Sequence, residues 1–211
     1  MTDRTTNALT ALYHPANPDF GVFGPDSFIE HHFREGSTWR GNTELPVSMV
    51  LYTLALANRS KVIVETGVNN GAGATLWLVF AAMMNGGAYV GIDINQEAIA
   101  KATACCTEFI PGAHPTFLHG NASEVVPAAF EPGTIDFLFI DDEHTRAHVE
   151  AEIAAFLPCM RSGGLMLFHD VVGVHEPDVW EPVQRAGGVR LVAHQRLPSQ
   201  PFGGLGLLVA P

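Results

Sequence analysis

Acidic and imidazole side chains follow two apolar segments that the sequence predicts to be neighbouring strands. Asp141 comes directly after residues 137–140, and His169 and Asp170 come directly after residues 165–168. Segments that are apolar on both faces are typical of central strands in a parallel sheet. Because the carboxyl ends of neighbouring strands lie about 5 Å apart, we expect the three side chains to share one crevice. Crowded carboxylates repel each other unless a cation lies between them, so the pattern predicts a divalent metal site; the alternative is one helix-capping and one solvated aspartate.

The segment between these two strands adds imidazole groups to the crevice. Val149, Ile153 and Phe156 recur at helical spacing, which predicts an amphipathic crossover helix. His144 lies before this helix, and its ordinary pKa near 6.5 would let it accept a proton at neutral pH; the alternative is an imidazole held in a polar network. His148 lies one helical turn further, so His144 and His148 could instead be two zinc ligands, although the glutamate of the zinc-protease motif is missing.

A glycine-rich turn joins another buried strand to an apolar helix. The strand is predicted at residues 61–67 and the helix at residues 74–84. Gly67 is the last residue of the strand, and Gly71 and Gly73 lie between the strand and the helix. Glycines allow a ligand to approach the main chain closely, and backbone N–H groups at a helix amino terminus favour an anionic or polar ligand. The turn is therefore a candidate cofactor site.

Asp93 ends the strand that follows this helix. Residues 88–94 predict that strand, which places the carboxylate roughly 20 residues beyond the glycine-rich turn. A carboxylate at this position usually accepts hydrogen bonds from a ribose diol. The pair of motifs indicates a nucleoside-containing ligand.

The remaining segments complete an alternating order of strands and helices. Asn95 is expected to cap a helix that ends near residue 110, and Asn121 or Ser123 to cap one that ends near residue 130. The other predicted elements are helix 44–58, strand 115–118, loop 171–177, helix 178–185, and strands 189–196 and 202–210. The last connection is too short for a helical crossover, so the last two strands should pair antiparallel. The fold class is α/β: a Rossmann-like, doubly wound, seven-stranded sheet, mostly parallel with an antiparallel last strand, and helices on both faces.

Length and composition limit the possible function classes. The 211 residues suffice for one domain, which we place at residues 44–211. Residues 1–43 are expected to form an irregular arm or lid, and residues 39–42 within it could cover the site. The net charge of −11 argues against nucleic-acid binding. The apolar stretch 74–84 is too short to span a membrane, and residues 1–6 lack the apolar region of a signal peptide, so we expect a soluble, cytoplasmic protein. Apolar residues in the arm make a homodimer plausible.

The order of these motifs resembles the class I S-adenosylmethionine (SAM)-dependent methyltransferases. Residues 65–73 resemble the family's acid-x-Gly-x-x-x-Gly-x-Gly loop, and Asp93, followed by Ile94, matches its ribose-binding acid. The resemblance implies that the amino-acid part of SAM contacts a loop set made of Glu65, Gly67, Asn69, Asn70, Gly71 and Gly73. It also implies that the adenine lies at Asn121, Ala122 and Ser123.

Within that superfamily, residues 140–144 and 167–170 resemble the branch of catechol-type, caffeoyl-coenzyme-A-type and macrolide-sugar O-methyltransferases and cephalosporin-hydroxylase-like proteins. The resemblance implies that Asp141, which also borders the SAM site, and Asp170 bind Mg²⁺. His169 is a weaker ligand, because Mg²⁺ prefers harder donors than imidazole. His144 occupies the position of the catechol-type general base, so Asp141 and His144 would carry catalysis. The implied reaction is methyl transfer to a hydroxyl of a small molecule, such as a catechol, a sugar or a natural-product intermediate.

Three other functions stay open. A nicotinamide-dependent oxidoreductase would have its glycines as G-x-G-x-x-G, whereas this loop is G-x-x-x-G-x-G, and it would not need metal-binding acids. A non-catalytic SAM-binding subunit could support another enzyme. A SAM-binding protein of the same branch could also catalyse a different reaction.

Overall fold

The computed structural model describes residue 43, residues 45–192 and residues 202–211 of the chain. Within them, seven strands alternate with six α-helices. The strands are β1 (Val62–Thr66), β2 (Ala88–Asp93), β3 (Thr116–His119), β4 (Ile135–Ile140), β5 (Met160–Gly173), β6 (Val189–Val192) and β7 (Phe202–Val209). The helices are α1 (Leu45–Ala57), α2 (Ala74–Asn85), α3 (Gln96–Phe109), α4 (Ala122–Ala129), α5 (Arg146–Phe156) and α6 (Glu176–Arg185).

All seven strands form one sheet in the order β3-β2-β1-β4-β5-β7-β6. Strands β1 to β5 pair parallel with one another, and β7 pairs antiparallel with both β5 and β6. The order reverses between β1 and β4, which opens a crevice at the carboxyl ends of these strands. The predicted doubly wound sheet with an antiparallel last strand is confirmed.

Side chains alternate between the two faces of the sheet and bury a helical layer on each. Ile63 and Phe139 pack with residues of α1, α2 and α3 on one face. Val64 and Leu138 pack with residues of α4, α5 and α6 on the other face. Because both faces are covered, the central strands are apolar throughout, as the sequence predicted.

The structure corrects the segment after β5. Residues 171–177 were expected to form a loop, but β5 continues to Gly173, and α6 begins at Glu176. The strand is longer because β7 provides hydrogen-bonding partners beyond the sheet tip, with Val172 opposite Gly203. Antiparallel pairing with a distant segment is not visible in the local pattern of residues 171–173.

Some predictions lie outside the described residues. These are the lid at residues 39–42 and the end of the strand expected at 189–196. The boundary of the arm at residue 43 and the homodimer therefore stay predictions. No helix in the described ranges is long and apolar enough to cross a bilayer.

Candidate active site

The tips of β4 and β5 bring the predicted metal ligands together. Ile140 pairs with Phe168, so the residues that follow each strand lie side by side. Nδ1 of His169 is 2.9 Å from Oδ1 of Asp141 and 3.4 Å from Oδ1 of Asp170. His169 and Asp170 are buried, and Asp141 is partly buried. The crevice expected from the sequence is present.

A β-bulge sets the direction of Asp170. His169 pairs with Leu205 and Val172 pairs with Gly203, so two residues of β5 stand opposite one residue of β7. Asp170 has a φ of +56°, a left-handed conformation that aspartate tolerates better than most residues. In a regular strand His169 and Asp170 would face opposite sides of the sheet. The bulge lets both side chains reach the same site.

His144 closes the site from the loop between β4 and α5. Its Nε2 is 3.2 Å from Oδ2 of Asp170 and 3.9 Å from Oδ1 of Asp141. Burial lowers the pKa of His144; the Asp141 charge opposes this shift, and the imidazoles of His175 and His169 add to it. The ring is therefore neutral at pH 7, and it packs against His175 with the ring centroids 4.8 Å apart.

Two residues at this site were not predicted. Thr43, which is buried, donates a hydrogen bond from Oγ1 to Oδ2 of Asp141 over 3.1 Å. His175 lies in the segment expected to be a loop and contacts the ring of His144. No periodicity or motif marks either position, so only the fold could reveal them.

A cavity of about 770 Å³ lies beside this cluster, a size within the usual range of small-molecule sites. Seven of the predicted cofactor residues line it: Gly67, Asn69, Asp93, Ile94, Asn121, Ala122 and Asp141. The other five are not among its described lining residues: Glu65, Asn70, Gly71, Gly73 and Ser123. Asp142, Glu143, His144, His148, His169 and Asp170 complete the wall on the metal side.

The main chain holds the carboxylate of Asp93 at the cavity wall. Oδ2 accepts a hydrogen bond from the N–H of Asn69 over 3.0 Å, and Oδ1 accepts one from the N–H of Asn95 over 2.8 Å. Each oxygen keeps a second lone pair for a ligand. Ile94 beside it is 73% exposed, which is unusual for an isoleucine and leaves an apolar surface on the wall.

Asn121 and Ser123 form the start of α4. Oδ1 of Asn121 accepts hydrogen bonds from the N–H and the Oγ hydroxyl of Ser123, over 3.1 Å and 2.8 Å. Asn121 is thus the helix cap, one of the two caps that the sequence allowed. The hydroxyl of Ser123 is directed to the cap, which explains why it does not line the cavity.

Glu65 is buried below the glycine-rich turn. It accepts a hydrogen bond from the hydroxyl of Tyr89, a residue that the sequence did not single out. Burial raises the pKa of Glu65 to about 8, against the lowering effect of Tyr89 and Thr75. Burial also raises the pKa of Tyr89 well above its usual value.

Asp142, His148 and Glu152 form a second cluster at the start of α5. Nε2 of His148 is 3.3 Å from Oδ2 of Asp142 and 3.5 Å from Oε1 of Glu152. Burial raises the pKa of Glu152 to about 8, and the Glu152 carboxyl raises the pKa of His148 to about 9. The structure places His144 and His148 in separate clusters, so these two histidines do not form the zinc pair that the sequence left open.

Comparisons with known proteins agree with this fold. Residues 64–171, just over half of the chain, match the family model of a methyltransferase domain. An O-methyltransferase from Bacillus cereus, solved in complex with SAH, is 15% identical over 98% of this chain and 97% of its own, with a TM-score of 0.68. The O-methyltransferase TomG from Streptomyces achromogenes, which is involved in tomaymycin synthesis and was solved with SAM, is 19% identical over 100% of both chains, with a TM-score of 0.62.

A third solved structure shows the same architecture. The SAM-dependent O-methyltransferase of Thermotoga maritima is 15% identical over 87% of this chain and 71% of its own, with a TM-score of 0.63. No curated protein matches the sequence significantly. At these identities the solved structures establish the fold, and the family model establishes the relationship. The chain therefore belongs to the methyltransferase-domain family and has its class I, Rossmann-like fold.

Proposed function

We propose that this protein is a SAM-dependent, divalent-metal-assisted O-methyltransferase that acts on a hydroxyl group of a small molecule. The observation that carries the proposal is the convergence of Asp141, His169 and Asp170 at adjacent strand tips, beside the cavity that Asp93 lines. The complexes of the Bacillus cereus and Streptomyces achromogenes enzymes with SAH and SAM support the choice of cofactor. The family match argues against the nicotinamide-dependent alternative.

The cavity wall provides the contacts that a nucleoside needs. Asp93 presents carboxylate oxygens for the ribose hydroxyls, and Ile94 presents an apolar surface for a base or sugar ring. Asn121 and Ala122 lie on the same wall, where the adenine would bind. Bound SAM supplies an electrophilic methyl group on a sulfonium, and its transfer to oxygen leaves S-adenosylhomocysteine. The main task of the protein is to align the acceptor oxygen with that methyl group.

A divalent cation fits the donor set at the strand tips. Asp141, His169 and Asp170 each offer one ligand atom, and these atoms lie within 4.8 Å of one another. Partly desolvated carboxylates at this separation are stabilised by an opposite charge. Two oxygens and one nitrogen suit Mg²⁺ or a first-row ion such as Mn²⁺. When bound, the cation supplies Lewis-acid activation of the acceptor hydroxyl.

His144 is placed to take the proton that the acceptor hydroxyl loses. Its lowered pKa keeps the ring neutral and able to accept a proton at pH 7. Asp170, 3.2 Å from Nε2, stabilises the imidazolium that then forms. Contact with His175 limits rotation of the ring. The chain therefore contains a proton acceptor next to the proposed metal ligands.

We propose a small hydroxylated molecule as the acceptor. Acids and imidazoles dominate the wall on the metal side, which favours a compact hydroxylated acceptor over a long apolar one. Catechols, sugars and hydroxylated natural-product intermediates share this chemistry. The tomaymycin enzyme is one protein of similar fold from natural-product synthesis.

The test combines calorimetry with a transfer assay. SAM binding is measured directly, and radiolabelled SAM is then incubated with panels of catechols, sugars and phenolic natural products, with Mg²⁺ or with EDTA. Asp170→Asn should retain SAM binding and lose transfer, as should EDTA treatment. His144→Gln should lower kcat by roughly 10²–10⁴-fold with SAM binding unchanged. Glu108→Gln, at an exposed carboxylate on α3, is the control.

Two results would overturn the proposal. Absence of SAM binding would exclude the cofactor. Transfer that persists in EDTA and in Asp170→Asn would exclude metal assistance.

A further inference from the structure

The cluster of Asp142, His148 and Glu152, here called the α5 cluster, has no role in the proposed methyl transfer. Its three side chains offer one ligand atom each, and these atoms lie within 4.8 Å of one another. His148 and Glu152 are one turn apart on α5, and Asp142 comes from the loop that precedes the helix. The cluster therefore links the loop between β4 and α5 to α5 through polar side chains.

Glu152 points to a missing partner in the α5 cluster. The residue is 0% exposed, and among the residues that the structure describes neither carboxylate oxygen has a hydrogen-bond partner. Oε1 has the imidazole of His148 as an ion-pair partner at 3.5 Å, whereas Oε2 has neither an ion-pair nor a hydrogen-bond partner among the described residues, so a second cation would stabilise this buried carboxylate further. Nε2 of His148, 3.5 Å away, lies between Glu152 and Asp142.

The distances within the cluster are also those of atoms that coordinate one ion. Nε2 of His148 lies 3.3 Å from the Asp142 oxygen and 3.5 Å from the Glu152 oxygen. One imidazole nitrogen carries at most one hydrogen, so its hydrogen bond to Asp142 leaves Glu152 without one. Ligand atoms bound at about 2.1 Å in a tetrahedral zinc site are roughly 3.4 Å apart.

From this geometry we propose that the α5 cluster binds a first-row divalent cation, with Zn²⁺ as the best match, at a site separate from the one at Asp141 and Asp170. One imidazole and two carboxylates are a donor set for such ions. Nδ1 of His148 faces Oε2 of Glu143 at 3.8 Å, on the side where a zinc-binding histidine usually has an outer carboxylate.

The α5 cluster is accessible from the cavity. The proposed ion would fix the position of the loop between β4 and α5. Asp142, Glu143 and His148 line the cavity wall, so the open coordination position faces solvent or ligand. Glu152 holds the ion from the buried side. The ion ties the β4–α5 loop to α5, and that loop carries His144.

The test is Zn²⁺ binding to the full-length chain in an Asp170→Asn background, which removes a ligand of the proposed active site. Zn²⁺ affinity is measured by competition with a chromophoric chelator, and Tm is recorded with and without Zn²⁺. His148→Gln and Glu152→Gln each remove one ligand. His114→Gln, at an exposed histidine outside the cluster, is the matched control. Circular dichroism verifies folding, and His148→Gln, at a partly exposed residue, gives the result if Glu152→Gln does not fold.

We expect the Asp170→Asn chain and its His114→Gln derivative to bind Zn²⁺ equally and to show a raised Tm. His148→Gln should weaken binding by more than the roughly 10–100-fold that loss of an outer partner costs, and should abolish the Tm increase. Equal affinity in all variants would overturn the proposal. A destabilised His148→Gln with unchanged Zn²⁺ affinity would also overturn it, because the cluster would then be only an ion pair. Because the readout is metal binding, the result does not depend on whether methyl transfer is found.

Discussion

Gly67 is the residue whose substitution tests most directly how the glycine-rich turn positions the site. It has a φ of +78°, and a Cβ at this position would lie 2.2 Å from the carbonyl oxygen of Asp141 and 3.0 Å from Cα of Asp142. These are backbone atoms, which cannot rotate away as a flexible side chain can. Gly67→Ala must therefore displace the loop after β4, which carries Asp141.

The expected cost of Gly67→Ala has two parts. A left-handed conformation costs a residue with a side chain about 1–2 kcal/mol. Forcing atoms into a packed region adds about 1–3 kcal/mol. The sum, about 2–5 kcal/mol, corresponds to a decrease in Tm of roughly 4–20 °C for a chain of this length.

Gly133→Ala is the matched control. Its φ of +73° imposes nearly the same conformational cost, but a Cβ there would meet no atom within 4 Å. Only the first part of the cost applies, so Tm should fall by roughly 2–8 °C, because about 1–2 kcal/mol is lost. The difference between the two variants isolates the contact with the β4–α5 loop.

Catalysis should separate the two variants further. The contact of 2.2 Å has to open to at least 3.0 Å, so the loop that carries Asp141 must move. A displacement of about 1 Å near reacting groups can cost on the order of 100-fold in rate. We expect this loss in the methyl-transfer assay for Gly67→Ala and none for Gly133→Ala. Equal Tm values and equal rates in the two variants would refute the reasoning, since the close approach would then not position the loop.

Two further substitutions test the cofactor wall and the buried acid. Asp93→Ala removes at least one hydrogen bond to a charged acceptor, worth about 1.5–3 kcal/mol, so SAM should bind at least roughly 10–150-fold more weakly by calorimetry; unchanged affinity would remove Asp93 from the cofactor site. Glu65 has a pKa of about 8 in the folded state against an ordinary 4.5, so between these values the folded state keeps a proton that the unfolded state has released. Glu65 therefore contributes to the free energy of unfolding an amount that is fully present below about pH 4.5 and is lost as pH rises to about 8, and Glu65→Gln should remove this contribution in urea titrations. Parallel pH dependences in the two proteins would contradict this assignment.

The fold could be predicted from the sequence because the local signals for helices and strands agree with the order of the strands in the sheet. Asn95 was expected to begin a helix, and its side chain accepts a hydrogen bond from the N–H of Glu97 at the start of α3. The apolar runs of β4 and β5 predicted buried parallel strands. Adjacency of those strands then predicted that Asp141 and Asp170 would approach each other. These features depend on residue type and spacing, which a sequence contains.

Other parts of the site depend on contacts that no spacing encodes. The bulge at Asp170 forms where β5 pairs with β7, because the register of the pairing shifts between His169 and Val172. Strand β7 lies more than thirty residues later in the chain. Thr43 reaches Asp141 across 98 positions of sequence. Glu152 could be assigned to α5 from the sequence, but its complete burial depends on how the helix packs on the sheet. Long-range packing decides each of these, so local patterns could not predict them.

Consecutive residues of the β4–α5 loop belong to two different clusters. Asp141 joins His169 at the strand tips, and Asp142 joins His148 at α5. Gly67 packs against the same pair of residues from the glycine-rich turn. The loop is therefore held from β5, from α5 and from the cofactor turn, although loops at such positions are ordinarily mobile. Because a proposed metal ligand needs a fixed geometry, these three attachments explain how a loop residue can serve as one.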